Sequence, residues 1–179
     1  TIPHKINVLA YINELSPEAQ EIQAVNCIQI KHTEQGPFLK GYNTDVYGFE
    51  ESLKPLLESQ HTKALILGNG GAAKAVKYAL KQLNIDYKFV SRSKTDNNYT
   101  YNEIDQNVLN EYSIIINCSP IGTYPNIEVA PDLPYEYITS KHLLYDLVYN
   151  PAETAFLKKG IQNLNGEEVC VQHEKKKKK

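Results

Sequence analysis

The stretch that most restricts the fold is Ala64-Leu65-Ile66-Leu67, apolar throughout, which runs directly into Gly68-Asn69-Gly70-Gly71-Ala72-Ala73. A strand with no polar face is one buried on both sides, and that is the condition of a parallel sheet covered by crossover helices. The residues that follow predict a helix over 72–83 and a second strand over 87–91. Together they form a strand, glycine turn, helix and strand within about 30 residues. Further strands are predicted at 113–117 and 143–148, so the sheet extends well beyond this unit.

The glycine turn fits G-x-G-x-x-G/A, in which each small residue has a separate task. Gly68 makes the turn, Gly70 lets backbone approach a pyrophosphate, and Ala73 lets the helix pack closely on the sheet. The helix opened there directs free N–H groups and the positive end of its dipole at the phosphates. Gly68, Asn69, Gly70, Gly71 and Ala72 are therefore candidate cofactor-binding residues in a doubly wound, Rossmann-type α/β sheet. The cofactor is read at the end of the second strand, where NAD enzymes place an acidic residue about 20 positions downstream. This chain has Ser91-Arg92-Ser93-Lys94 instead, two hydroxyls and two cations that suit a 2′-phosphate. NADP is the cofactor indicated, although Arg92 and Lys94 also read as ordinary loop charges.

The first third follows a different pattern. Ile6, Leu9, Ile12 and Leu15 recur at helical spacing over 5–15, and Ser16-Pro17-Glu18 starts a second short helix. A strand over 24–30, a turn at Glu34-Gln35-Gly36-Pro37 and a returning strand over 38–42 predict a hairpin. Thr44 or Asp45 then caps a helix whose apolar face is Val46, Phe49, Leu53 and Leu56 or Leu57. Farther along, 93–100 reads as a polar loop, and 124–134, with three prolines, as a surface loop beside a site.

Composition narrows the function classes. With 179 residues, 41% hydrophobic and 22% charged, the chain is of ordinary globular composition. No apolar run approaches the ~20 residues of a membrane-spanning helix, and the N-terminus lacks the regions of a secretory signal. Five of the 19 basic residues are the terminal Lys175 to Lys179; without them, fourteen basic residues face 21 acidic ones. An acidic body argues against nucleic acid as a partner, and the lysine run reads as a solvated tail. Three cysteines with no metal spacing indicate reduced thiols in a cytoplasm, and the histidines show no ligand spacing either, so no metal is expected. The absence of Met and a start inside a motif indicate part of a longer chain.

Several segments occur together in one order: Thr1-Ile2-Pro3-His4-Lys5, Ala24-Val25-Asn26, Gly41-Tyr42-Asn43-Thr44-Asp45, the glycine turn, Asn117-Cys118-Ser119-Pro120-Ile121-Gly122, and Tyr145-Asp146-Leu147-Val148-Tyr149-Asn150-Pro151. In that order the chain resembles the shikimate dehydrogenases along nearly its whole length. The resemblance implies a Rossmann NADP-binding domain over 44–166 and a smaller, here incomplete, α/β substrate-binding domain over 1–43, rejoined by 167–179. It implies reversible NADPH-dependent reduction of 3-dehydroshikimate to shikimate, an oxidoreductase step toward chorismate and the aromatic amino acids. Lys5 and Asp45, which by spacing alone read as helix-start residues or a plain ion pair, become the catalytic pair. Thr1, Asn26, Tyr149 and Gln172 become substrate-binding positions. Arg92 and Ser93 become the 2′-phosphate clamp beside Ser91, and Asn117 and Gly166 join the cofactor site. A monomer or homodimer is expected.

Two features depart from the family. Its earlier substrate-domain sheet has no counterpart here, and the segment Gly166 to Gln172 is one residue shorter than the usual spacing. Two other functions therefore remain open. One is a quinate-accepting relative, recognised by a preference for NAD, and the other is a non-catalytic NADP-binding fragment, recognised by cofactor binding without turnover.

Overall fold

Leu65 and Leu67 point to one side of their strand and Ala64 and Ile66 to the other, and all four are wholly buried, so each side requires its own cover. The computed structural model, which describes residues 4–162 and 170–173, supplies both covers. Its main sheet has six parallel strands: β4 (Lys63–Leu67), β5 (Asp86–Ser91), β6 (Asn98–Thr100), β7 (Ile114–Asn117), β8 (Leu143–Asp146) and β9 (Cys170–His173), in the order β6-β5-β4-β7-β8-β9. This is the doubly wound Rossmann order. One core joins Ala64, Ile66, Ile114, Ile116, Leu143 and Tyr145 to helix α3 (Gly71–Gln82). The opposite core joins Leu65, Leu67, Ile115 and Leu144 to Leu109 of α4 (Gln106–Glu111) and to Phe156 and Leu157 of α5 (Ala155–Gln162). Each fully buried Leu or Ile contributes roughly 1.5–3 kcal/mol, which is why the apolar strands dominate the assembly.

Helix α3 shows how local sequence sets an element's limits. Its buried face is Ala73, Ala75, Val76, Ala79 and Leu80. It ends where Asn84 takes the left-handed conformation at φ 56°. Ile85 N–H then donates to Leu80 C=O at 2.9 Å and Asn84 N–H to Lys81 C=O at 3.1 Å, which satisfies the last carbonyls.

A smaller sheet in the first third consists of β1 (Glu14–Leu15), β2 (Cys27–Thr33) and β3 (Gly36–Tyr42), in the order β1-β3-β2. The β2–β3 hairpin pairs Cys27 with Tyr42 at its base and turns at Gly36, φ 110°. Helices α1 (Pro17–Ile22) and α2 (Thr44–Leu53) lie between this sheet and α3, and their Ile22, Val46, Phe49 and Leu53 belong to the α3-side core. The ring of Phe49 meets that of Tyr145 edge-on at 5.0 Å, and the Ser52 and Tyr145 hydroxyls lie 2.6 Å apart.

The structure corrects two expectations. The predicted helix over 5–15 is a single 3-10 turn, Asn7–Tyr11, followed by strand β1. Its periodic side chains find only a partial core, since Ile6 is exposed and Leu9, Ile12 and Leu15 are half-buried, whereas sheet pairing is available nearby. Asn13 N–H donates to Leu39 C=O at 2.9 Å, its side-chain oxygen accepts from Leu39 N–H at 2.7 Å, and Ser16 N–H donates to Gly41 C=O at 2.9 Å. Likewise the polar loop expected at 93–100 ends in edge strand β6, pinned by the nearly buried Asn98, whose amide donates to Ser91 Oγ and Ser93 C=O and accepts from Thr95 N–H.

Candidate functional site

In an open parallel sheet, ligands bind beyond the carboxyl ends of the strands where the order reverses, here between β4 and β7. Gly68 N–H donates to Val90 C=O at 2.8 Å and Cys118 N–H to Leu67 C=O at 2.9 Å, so the ladder runs to the rim of that crevice. A groove lies there in two lobes, about 420 Å³ and about 430 Å³, which share Gly70, Cys118, Ser119 and Pro120. Asn69, Ser91, Arg92, Ser93 and Tyr101 line the first lobe. Gly71, Ala72, Val148, Tyr149 and Asn150 line the second.

The glycines behave as their pattern predicts. Gly68 has φ 101°, which any side chain would strain, and the backbone of Ser119 lies only 3.4 Å from where its Cβ would be. A Cβ on Gly70 or Gly71 would meet nothing within 4 Å, so open space lies directly against the backbone. Gly70 caps α3 without a side-chain bond, which leaves first-turn N–H groups to be satisfied from the groove. Ala73 is wholly buried against the sheet. Twelve residues of helix behind those N–H groups suit an anionic ligand, and two glycines leave room for it, so a dinucleotide fits.

At the end of β5 the cations separate. Arg92 lines the first lobe, whereas Lys94 turns to Glu103, with Nζ 2.7 and 2.9 Å from its two oxygens and 3.0 Å from Asn98 C=O. The carboxyl of Glu103 is pushed down to about 2, first by Lys94 and then by the donors of Thr100. The site therefore presents Arg92 with Ser91 and Ser93, and the Ser91 hydroxyl is already bonded to Ser93 C=O at 2.9 Å. Tyr101 was not visible in the sequence as a site residue, because only the unpredicted strand β6 carries it to the lobe. Burial pushes its phenol up, and the Arg92 charge acts in the opposite direction.

Asn117 is wholly buried and lines neither lobe of the groove. Its amide donates to Asp146 Oδ1 at 3.0 Å and to Ile121 C=O at 3.3 Å, and its oxygen accepts from Ser119 N–H at 3.1 Å and Ser119 Oγ at 2.7 Å. It thus shapes the 118–121 wall. Asp146 lies within the Tyr145–Pro151 segment, yet nothing local assigns it a role, because its partners are on other elements. It accepts from Val148 N–H at 2.9 Å and Thr154 Oγ1 at 2.6 Å, and burial pushes its carboxyl up to about 6.

Lys5 and Asp45 meet although forty residues separate them, with Nζ 2.5 Å from Oδ2. Lys5 sits in the turn before the 3-10 segment, and its carbonyl accepts Val25 N–H at 2.8 Å. Asp45 lies in the first turn of α2, where the helix dipole favours a carboxylate. Asn43 caps that helix instead of the predicted Thr44 or Asp45, accepting Asp45 N–H at 3.2 Å. Asn26 stands beside the pair, its oxygen accepting Thr44 N–H at 2.9 Å and Thr44 Oγ1 at 3.2 Å. The side chains are 29% and 42% exposed, so a solute can reach both a proton donor and its acceptor. Of the remaining expected residues, Tyr149 lines the second lobe, while Thr1, Gly166 and the side chain of Gln172 lie outside the described residues. Among the described residues no cluster of His, Cys, Asp and Glu could hold a metal, and no helix is long and apolar enough to cross a membrane.

Comparison with known proteins points the same way. The shikimate dehydrogenase substrate binding domain family matches residues 1–28. The chain is 38% identical over 175 residues to a shikimate dehydrogenase (NADP(+)) of Methanosphaera stadtmanae, covering 88% of this chain and 60% of that protein. It is 35% identical over 184 residues to one of Clostridium botulinum, covering 96% and 69%. Its fold superposes with a TM-score of 0.75 on the shikimate 5-dehydrogenase of Thermus thermophilus, solved with NADP(H) and shikimate, at 30% identity over 96% of this chain and 64% of the other. The chain thus spans about 60–69% of the length of these curated relatives.

Proposed function

The chain belongs to the shikimate dehydrogenase family, and from that premise we propose that the protein reversibly reduces 3-dehydroshikimate to shikimate with NADPH, a cytoplasmic step toward chorismate and the aromatic amino acids. The observation that carries the reading is the Lys5–Asp45 pair, because only the fold joins these residues and a carbonyl reduction needs what they supply. Bound NADPH supplies the hydride. Lys5 stabilises the oxygen that gains charge and gives it a proton, and Asp45 holds the ammonium in line and completes the proton path.

Gly68 to Ala72 cradle the pyrophosphate at the start of α3, Arg92 with Ser91 and Ser93 holds the 2′-phosphate, and the walls at 118–121 and 147–150 enclose the nicotinamide. Asn117 acts on the first of these walls from beneath. Asn26 and Tyr149 contact the substrate, as do Thr1 and Gln172, and Gly166 completes the cofactor site. We assign residues 1–43 to the substrate domain and 44–166 to the NADP domain, whose sheet β9 extends rather than rejoining the substrate domain as expected for 167–179, in a monomer or homodimer.

The test is NADPH absorbance when the protein is mixed with shikimate and either NADP⁺ or NAD⁺. Turnover with NADP⁺ is the expected result. No turnover with either cofactor overturns the reading, and turnover of quinate with NAD⁺ would identify the quinate-accepting relative, against which Arg92 in the groove speaks.

A further inference from the structure

The second lobe has two walls that leave different strands, 118–120 after β7 and 147–150 after β8. Nothing in the sequence explains why two loops should keep a fixed separation. Beneath them, however, lies the one acidic side chain that is wholly buried among the described residues. Asp146 Oδ1 accepts from Val148 N–H at 2.9 Å, which starts the second wall, and from Asn117 Nδ2 at 3.0 Å, whose own oxygen holds Ser119 of the first. Oδ2 accepts from Thr154 Oγ1 at 2.6 Å, just before α5. Asn117, Asp146 and Thr154 are all wholly buried, and none of them lines the groove.

We propose that Asp146 is a positioning residue which, through Asn117 and Val148, sets the separation of the two walls around the nicotinamide. The inference rests on reading the groove as an NADP site. A carboxylate suits the task because it accepts from several directions at once, whereas an apolar residue would leave two N–H groups and a hydroxyl without acceptors. Burial works against the charge here, so its presence is better explained by the geometry it fixes than by stability.

The test compares NADPH, followed by nicotinamide fluorescence, with 2′-phospho-ADP-ribose, which has the adenine half and no nicotinamide. In Asp146→Ala the affinity for NADPH falls about tenfold and the fluorescence enhancement on binding is lost, while the affinity for 2′-phospho-ADP-ribose stays within about twofold. Asp146→Asn restores most of the loss, because its amide oxygen still accepts from Val148 and Asn117. Thr154→Val, of nearly the same shape, shows the same split to a smaller degree and serves if Asp146→Ala does not fold. Equal weakening of both ligands, or no change in either, in folded variants overturns the proposal. If the unaltered protein binds neither ligand, the NADP reading itself falls, and the inference with it.

Discussion

The groove over the main sheet and the ion pair beside the small one are built in opposite ways. The groove is framed by runs of consecutive residues at the ends of β4, β5, β7 and β8, backbone of the glycine turn among them, and its glycines matter for what they lack. The pair is entirely side chain, from two segments forty residues apart held together by the hairpin and the caps of α2. A binding surface of backbone tolerates substitution wherever it adds no bulk, whereas a reacting pair depends on two particular functional groups. Variants in each region should therefore fail differently.

The largest effect is expected from Lys5→Ala, which should lower kcat by about 10²–10⁴ with little change in KM; a loss through KM alone would make Lys5 a binding residue and erase the contrast. Next comes Gly70→Val. Its φ of −76° admits a side chain and no protein atom opposes the Cβ, so Tm should hold while calorimetry shows NADP affinity down about 100-fold. A large fall in Tm would show that this glycine serves folding. Arg92→Ala removes charge-assisted bonds of about 1.5–3 kcal/mol, which should reduce the preference for NADP⁺ over NAD⁺ by about 10–100-fold and leave NAD⁺ binding alone. Lys94→Ala, whose target already pairs with Glu103, is the control that should not.

Gly160→Ala sharpens the comparison from outside both regions. Its Cβ would lie 2.4 Å from Leu144 Cδ2, so denaturant unfolding should show a loss of about 1–3 kcal/mol with cofactor affinity intact. The smallest effect belongs to His142, whose Nδ1 accepts Thr139 N–H and whose Nε2–H donates to Leu109 C=O. Burial lowers its pKa, so the unfolded chain takes up the proton first. The stability it lends is present above the unfolded pKa, about 6.5, and is lost as pH falls through the folded one. Between pH 7.5 and 5, His142→Gln should lose less Tm than the unaltered protein; a steeper loss would reverse the assignment.

The same contrast explains what the sequence made visible. The glycine turn, α3 and the apolar strands were legible because their determinants are local: periodicity, a helix start, a run without polar residues. The segment 5–15 has helical spacing as well, yet Ile6 is exposed and Leu9, Ile12 and Leu15 only half-buried, and spacing with so partial a core does not hold a helix against Leu39 and Gly41 of a neighbouring strand. Arg92 and Lys94 are equivalent on paper, and only Glu103, brought close by β6, separates them. Lys5 and Asp45 were found through the motifs around them, since nothing in their spacing joins them. Asp146 stayed hidden for a related reason: its meaning lies in Asn117 and Thr154, on other elements.

The strand order also has a consequence for assembly. β8, all four of its residues buried, pairs with β7 on one side and with β9 on the other, and β9 begins only at Cys170. In any state of the chain in which β9 has not docked, β8 is an apolar edge strand with one row of backbone hydrogen bonds unmade. Such an edge is open to any other extended segment, including that of a second copy of the chain.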